Sequence, residues 1–355
     1  MIPPLQGLQL INFRNFQQHE ERFLHPHTLI KGKNAVGKTN LLEAISFLCP
    51  GTGFRKESLQ NFSNHDSTEQ ISSIMFKFLH EELHNELKIE IGFTENRWSK
   101  NYYLNDKKIS QQQLLSIFQL FWFTEIDKVY FIKDPQYQRN TINRIMCYFN
   151  AQLFKLLNTF TKLRTEKKKV LKNSPNNAWL ESLDAQLLEV GKNILEIKIE
   201  FLHAFNNFMA HEENTFFQFE IAPSSAFVDS ALFLKQFEQG LKDENQWPTN
   251  YRLKSESDPL KSVFEISHAG KKISQLSSAQ SKLLILSFLL HCAKFLNENK
   301  ITIFLIDEIF DNFDSMNIEK VIQYCAENNF QTFFSTTDNF SLQGSINNLE
   351  IKEIR

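Results

Sequence analysis

Between Leu29 and Phe47 the chain reads LIKGKNAVGKTNLLEAISF, in which Gly32, Gly37, Lys38 and Thr39 spell G-x-x-x-x-G-K-T. Each residue type in that pattern has a physical task. Glycines let the backbone wind tightly enough for successive N–H groups to face an anion. Lys38 is placed to reach the β and γ phosphates of a nucleotide, and the Thr39 hydroxyl to hold Mg²⁺. Lys33, Asn34, Ala35, Val36 and Asn40 complete the expected cradle for ATP. The flanks agree with a strand–loop–helix unit: Thr28, Leu29 and Ile30 read as a short buried strand, and Leu41, Leu42, Ala44, Ile45 and Leu48 as the apolar stripe of a helix. A helix opening at the loop adds the positive end of its dipole. The chain has only ten glycines, so the pattern is no by-product of a glycine-rich composition. The alternative is a glycine-containing turn before an ordinary helix.

A length of 355 residues predicts two domains, or one interrupted by an insertion. The formal charge of −2 speaks neither for nor against nucleic acid, since only local patches would supply an anion-binding surface. Phe is abundant, at 35, which predicts an ordered, well-packed chain. Cys49, Cys147, Cys292 and Cys325 form no C-x-x-C pair and read as buried free thiols of a reducing compartment. No signal peptide and no apolar run of membrane-spanning length is visible, so the expectation is a cytoplasmic protein with no membrane partner.

Along the chain, residues 5 to 30 read as two or three strands: one at Leu8 to Ile11, one from Phe13 to Phe16, and one at Thr28 to Ile30. Arg14 stands shortly before the loop as a candidate nucleotide contact, the alternative being a surface strand residue. Residues 70–78 and 85–93 alternate like a strand pair, and Tyr102 to Ile109 like a hairpin turning at Asn105-Asp106. From about residue 112 the pattern turns helical. Stretches 136–172 and 178–215 predict two long antiparallel helices, which at 1.5 Å per residue would stand out by about 50 Å as an arm. Residues 237–258 read as polar loop, Val263 to Ile266 with Gly270 as a hairpin, and Ser277 to Leu296 as helix.

A second half of the site is expected late in the chain. ITIFLI, Ile301 to Ile306, is the continuous apolar run of a fully buried parallel strand, and it ends in Asp307-Glu308. Asp307 would hold Mg²⁺ and Glu308 would polarise an attacking water; the alternative is a strand ending in a surface acidic pair. Asp307 lies far downstream of Lys38, so something large is inserted between two parts of one sheet. Leu276-Ser277-Ser278-Ala279-Gln280 resembles the L-S-G-G-Q signature of ABC-type ATPases, with Ser278 and Ala279 where glycines usually stand. A plain N-cap serine before a core helix is the alternative. Asp314 fits a dimer-contact loop, and Thr337, within Ser335-Thr336-Thr337-Asp338, the position of a residue that senses the γ phosphate.

With these motifs in place the chain resembles the RecF family of SMC-like ATPases over nearly its whole length. The likeness is carried by Asn12-Phe13-Arg14-Asn15, by the loop and its continuation Thr39-Asn40-Leu41-Leu42-Glu43-Ala44, by Gly53 to Arg55, by Phe123 to Pro135 with Arg139, and by Thr336-Thr337-Asp338. The resemblance implies an α/β fold, an ABC/SMC-type ATPase head with mixed β-sheet and an inserted helical arm. Residues 1–111 and 240–355 would form the head and 112–239 the arm. It implies an ATP-dependent DNA-binding protein of replication and recombinational repair, acting on duplex near single-strand gaps as a weak, DNA-stimulated ATPase. Two heads would form an ATP-dependent homodimer, Ser277 and Gln280 of each completing the other's site, with Glu308 and Lys38 catalytic. Mediator proteins of the RecO/RecR type are implied as partners. Lys167, Lys168, Lys169 and Lys172 on the arm, with Lys107 and Lys108 in the hairpin, are candidate DNA contacts, or else solvated faces. The family's Ser-Gln-Gly-Gln-Gln-Arg is here Ser277-Ser278-Ala279-Gln280-Ser281-Lys282, and its Gly-Pro-His-Arg-Asp motif is not recognisable in Leu253 to Leu260. These departures keep a second reading in view, a degenerate ATP-binding scaffold or defence ATPase with little turnover.

Overall fold

Strand β3 (His27–Lys31) carries the phosphate loop, and its sheet explains how residues distant in sequence meet. The computed structural model describes residues 2–63, 71–94, 96–173, 177–213, 216–223, 228–246, 258–261, 264–297, 299–308, 315–337 and 349–354. Among the described residues, one sheet runs β14 (Leu349–Glu353), β3, β13 (Gln331–Thr336), β12 (Ile301–Ile306), β8 (Phe118–Phe123), and every neighbour in it is parallel. β8, β12 and β13 are buried at every position, the signature of strands covered on both faces.

The second sheet is antiparallel, in the order β2 (Phe16–Arg22), β1 (Leu5–Phe13), β4 (Ile71–His80), β5 (Leu83–Thr94), β6 (Arg97–Leu104), β7 (Lys107–Ile109). Asn105 and Asp106 both take positive φ in the β6–β7 turn, as a two-residue hairpin requires. The Gln331 side chain joins the sheets, accepting from the Leu5 N–H at 2.7 Å and donating to the Leu5 carbonyl at 2.8 Å. The expected strand from Phe13 to Phe16 is instead the turn that reverses β1 into β2: Phe13 pairs with Phe16, and Arg14 adopts φ 53°.

The chain divides into two units, Met1–Lys128 with Leu289–Arg355, and Val129–Phe288. These boundaries differ from an arm spanning 112–239. α2 (Gln111–Ile117) leads into β8, and β8 is hydrogen-bonded to β12 from Ile301↔Phe118 to Ile306↔Phe123, so it belongs to the sheet that carries the phosphate loop. At the other end, β9 (Glu220–Ala222), α7 (Ser230–Gln246), β10 (Glu265–His268) and β11 (Lys271–Lys272) lie in the second unit.

The second unit is mainly helical. α3 (Glu125–Lys133) crosses the boundary into it, and α4 (Pro135–Phe149), α5 (Gln152–Asn173) and α6 (Asn177–Ala210) follow. The stretch expected as one long helix over 136–172 is two, because Asn150 leaves helical geometry and its side chain accepts from the Gln152 N–H at 3.0 Å, capping α5. The arm is therefore uneven, about 33 Å of α5 against about 51 Å of α6. Leu180, Leu183, Leu187, Ile194, Ile197 and Phe201 form the buried stripe of α6. Residues 237–246, expected as loop, continue α7: Phe237, Gly240, Leu241 and Glu244 keep helical spacing on its buried face. The hairpin near Gly270 forms as expected from β10 and β11. α8 (Ser278–Phe295) begins in this unit and ends in the first. No helix among the described residues is long and apolar enough to cross a membrane.

Candidate functional site

The phosphate loop leaves β3 after Lys31 and becomes α1 (Lys38–Ser46) at Gly37. Two of its residues have left-handed backbone, Ala35 at φ 69° and Gly37 at φ 113°, the alternation that turns N–H groups into a concave anion site. Gly37 also has no room for a side chain. A Cβ there would stand 2.7 Å from Asn15 Nδ2 and 2.7 Å from Phe16 Cζ. A Cβ on Gly32 would stand 2.7 Å from the Ile354 carbonyl oxygen. Lys33, Asn34 and Ala35 are exposed, Val36, Thr39 and Asn40 half-buried. Lys38 is 7% exposed and its ammonium donates to the carbonyls of Gly32 (2.7 Å) and Lys33 (2.8 Å). The cation thus holds the loop in shape from within.

The β1–β2 turn braces this loop. Asn15 donates through Nδ2 to the Val36 carbonyl at 3.0 Å and accepts through Oδ1 from Asn40 Nδ2 at 2.7 Å. Asn40 also accepts from Arg55 Nη1 at 2.8 Å. Arg14 sits beside them, its guanidinium on Glu43 through Nε and Nη2, and on Glu57 and the Asn61 carbonyl through Nη1. It stacks 4.6 Å over the Phe62 ring. Burial pushes the Glu43 carboxyl up, against the opposing pull of Arg14 and Arg55. Sequence reading offered Arg14 a nucleotide; the structure places it on two carboxylates. It did not single out Glu43 as a site residue, although a carboxylate among Leu41, Leu42, Ala44 and Ile45 is a charge on an apolar stripe, which demands a partner.

The acidic pair arrives on the same edge. β12 ends at Ile306 opposite Phe334 of β13, and β13 ends at Thr336 opposite Lys31, the residue before the loop. All these strands are parallel, so their carboxyl ends coincide, the edge at which open α/β sheets bind ligands. Asp307 is half-buried and its N–H donates to the Phe123 carbonyl at 3.1 Å. Glu308 is exposed, takes φ 51°, and donates its N–H to Ser335 Oγ at 2.9 Å. Ser335 Oγ in turn donates to Asp307 Oδ1. Thr337 follows directly on β13 and is half-buried. The first unit therefore brings together the loop, Asp307, Glu308 and Thr337. In sequence Ser335 is no more than the end of an apolar strand, and only its two hydrogen bonds mark it. Asp314 and Asp338 lie outside the described residues, as does most of Leu253 to Leu260.

Ser277 and Gln280 stand at the start of α8, in the second unit, both exposed. They form a capping box, the Gln280 N–H donating to Ser277 Oγ at 3.3 Å and the Ser277 N–H to Gln280 Oε1 at 3.2 Å. Of the candidate DNA contacts, Lys107, Lys108, Lys168, Lys169 and Lys172 are exposed, joined on α5 by Lys155 and Lys162. Lys167 is not a surface residue. Its side chain is fully buried, paired with Asp184 at 2.5 Å and Glu244 at 3.4 Å, and donating to the Leu241 carbonyl.

A sequence model of the family described as RecF/RecN/SMC N terminal domain matches residues 4–354. The DNA replication and repair protein RecF of Rickettsia prowazekii is 23% identical over 362 residues, covering 98% of each chain. Its counterpart in Rickettsia conorii is 24% identical over 363 residues, covering 96% of this chain and 98% of the relative. Among solved structures, a recombination mediator protein RecF with ATPrS, of the RecFOR pathway, matches with a TM-score of 0.81 at 22% identity, over 100% of this chain and 97% of that one. A Smc head domain from Pyrococcus furiosus, bound to the C-terminal domain of ScpA, matches with a TM-score of 0.51 at 19% identity, over 95% and 90%. At these identities the structural likeness speaks for the fold.

Proposed function

The chain belongs to the RecF/RecN/SMC N terminal domain family, and from that membership we propose that it is an ATP-binding protein of DNA replication and repair that couples slow ATP hydrolysis to DNA binding near single-strand gaps. The observation that carries this reading is the parallel sheet itself, which delivers Gly32 to Thr39, Asp307 and Glu308 to one edge although they lie at opposite ends of the sequence. In this reading Lys38 exchanges its loop carbonyls for phosphate oxygens when ATP enters. Glu308 polarises the attacking water, and Thr337 senses the γ phosphate.

The donor set fits Mg²⁺: the Thr39 hydroxyl and the Asp307 carboxylate are hard oxygen ligands, to be completed by phosphate and water oxygens. The ion, once bound, neutralises charge on the phosphates. The chain's own part is to fix where its two protein oxygens stand.

The exposed Ser277 and Gln280 are offered to the nucleotide of a second copy, so that ATP closes a homodimer. The exposed lysines of α5 and β7 would meet the DNA backbone, giving binding that ignores sequence and weakens with salt. Mediator proteins of the RecO/RecR type would act with the DNA-bound form. One observation favours a scaffold with little turnover: Ser277 and Gln280 already satisfy each other, and Ala279 adds a methyl group where close backbone approach to phosphate is needed.

ATP turnover measured with and without gapped duplex DNA tests the reading. Hydrolysis stimulated by DNA and abolished in Lys38→Ala supports it. Tight ATP binding with no turnover under either condition would leave the scaffold.

A further inference from the structure

We infer that Ser335 is a positioning residue for the acidic pair, a role that rests on the ATP–metal reading above. The Ser335 side chain is completely buried at the carboxyl end of β13, next to the strand that ends in Asp307. Its hydroxyl has one proton and its oxygen two lone pairs, and both capacities are engaged with that pair. The proton goes to Asp307 Oδ1, and the oxygen accepts the Glu308 N–H at 2.9 Å.

Two consequences follow. The bond to Oδ1 fixes the plane of the Asp307 carboxylate, and among the described residues Oδ2 receives no hydrogen bond, which leaves it to an incoming cation. The bond from the Glu308 N–H secures a backbone that has no intrinsic reason to stay where it is. Glu308 takes φ 51°, a conformation that side-chain-bearing residues avoid, so something nearby must hold it. One hydroxyl therefore aims the metal-binding carboxylate and pins the turn that presents the neighbouring base. Alanine would remove both bonds while keeping the strand; threonine would keep the hydroxyl.

The experiment compares the parent protein, Ser335→Ala and Ser335→Thr in the full chain. A fluorescent ATP analogue is titrated at a series of Mg²⁺ concentrations and in EDTA, and Mn²⁺ binding is followed by its EPR signal with a non-hydrolysable analogue present. Ser335→Ala is expected to need about tenfold more Mg²⁺ or Mn²⁺ for half-saturation, the usual effect of removing a group that orients a metal ligand. Its affinity in EDTA should stay within about twofold of the parent's, a change on the order of RT. Ser335→Thr should follow the parent. The assignment is overturned if Ser335→Ala keeps the parent's metal dependence, or if it loses metal-free affinity to the same extent as metal-supported affinity. A parent protein whose nucleotide binding ignores metal altogether overturns the assignment too, and in that case the ATP–metal reading falls with it.

Discussion

Arg14 grips Glu43 in a two-pronged pair, Nε to Oε2 at 2.9 Å and Nη2 to Oε1 at 3.0 Å, on a carboxylate that solvent does not reach. Removing the guanidinium leaves a charge buried in the helix that starts at the phosphate loop. Arg14→Gln should therefore cost about 3 kcal/mol of stability by urea denaturation. The deficit should depend on pH. Burial already raises the Glu43 carboxyl, so its contribution is fully present below the unfolded value and is lost as pH rises through the folded one. Without Arg14 the rise is larger, and the deficit should widen as pH climbs above the ordinary carboxylate range. A deficit unchanged over that climb would mean that Arg55 alone keeps Glu43 ionised.

Gly37→Ala and Gly51→Ala separate strain from collision. Both glycines are left-handed, at φ 113° and 118°, but a Cβ on Gly51 meets nothing within 4 Å, while one on Gly37 runs into Asn15 and Phe16. Gly51→Ala should cost about 1–2 kcal/mol and spare ATP affinity. Gly37→Ala should cost more and weaken binding of a fluorescent ATP analogue by about tenfold, about 1.4 kcal/mol, since a displaced loop is felt by every N–H that faces the anion. Equal affinities in the two variants would contradict the bracing role of the β1–β2 turn.

The lysines of α5 should divide in the same way. Lys167→Ala strips Asp184 of its buried cation and leaves Glu244 to Arg164 alone, and should destabilise by about 3 kcal/mol. Lys162→Ala and Lys169→Ala should leave the melting temperature within about 1 °C, surface changes being nearly neutral. If the exposed lysines meet DNA, each removal should lower the salt slope of DNA binding by about one. Fluorescence anisotropy at several salt concentrations reads this out; a slope identical to the parent's would assign them to a solvated face.

Three bases whose charge the fold disfavours, His27 and Lys198 buried and Lys100 half-buried, shape the pH dependence of stability. Burial lowers His27 to about 4, and Lys100 and Lys198 to about 7 each. Cys49 opposes the shift at Lys100; at Lys198, Asp258 and Cys147 oppose it and Arg139 adds to it. In all three the unfolded chain holds its proton more tightly, so stability falls as pH drops from 6.5 towards 4 and climbs as pH rises from 7 towards 10.5. Each group contributes at most about 1.4 kcal/mol per pH unit. Lys198→Met should flatten the alkaline rise in chemical denaturation, and His27→Phe the acidic fall. A profile that declines between pH 7 and 9 would contradict the lowered values of both lysines.

The phosphate loop and the acidic strand were legible because their chemistry forces a local pattern: glycines where backbone must turn, and an unbroken apolar run where a strand is covered on both faces. The capping serine before α8 and the hairpin at Asn105-Asp106 were legible for the same reason. What escaped was everything decided by distant partners. Nothing local distinguishes Lys167 from Lys168, because only the approach of Asp184 and Glu244 buries one and not the other. Phe13 to Phe16 carries strand-like aromatics, yet Arg14 is drawn into a turn by Glu43 and Glu57. The break at Asn150 is a single side chain turning back on the next N–H, too small an event to interrupt an apolar period. Residues 112–123 look like the entrance to a helical insertion because α2 precedes β8; only the pairing with β12 returns that strand to the head.

The strand beside the phosphate loop bears on how this chain comes into being on the ribosome. β14 pairs with β3 from Leu349↔His27 to Glu353↔Lys31, the Ile354 N–H donates to the Lys31 carbonyl at 2.9 Å, and the Ile354 carbonyl fills the space that a side chain on Gly32 would need. β13, on the other side of β3, is also translated late. The β1–β2 turn that braces the loop is made before it, but both sheet neighbours of β3 follow far behind, and the second is complete only when residue 354 has left the exit tunnel. The edges of β3 therefore stay unpaired through most of synthesis and must be kept from mispairing.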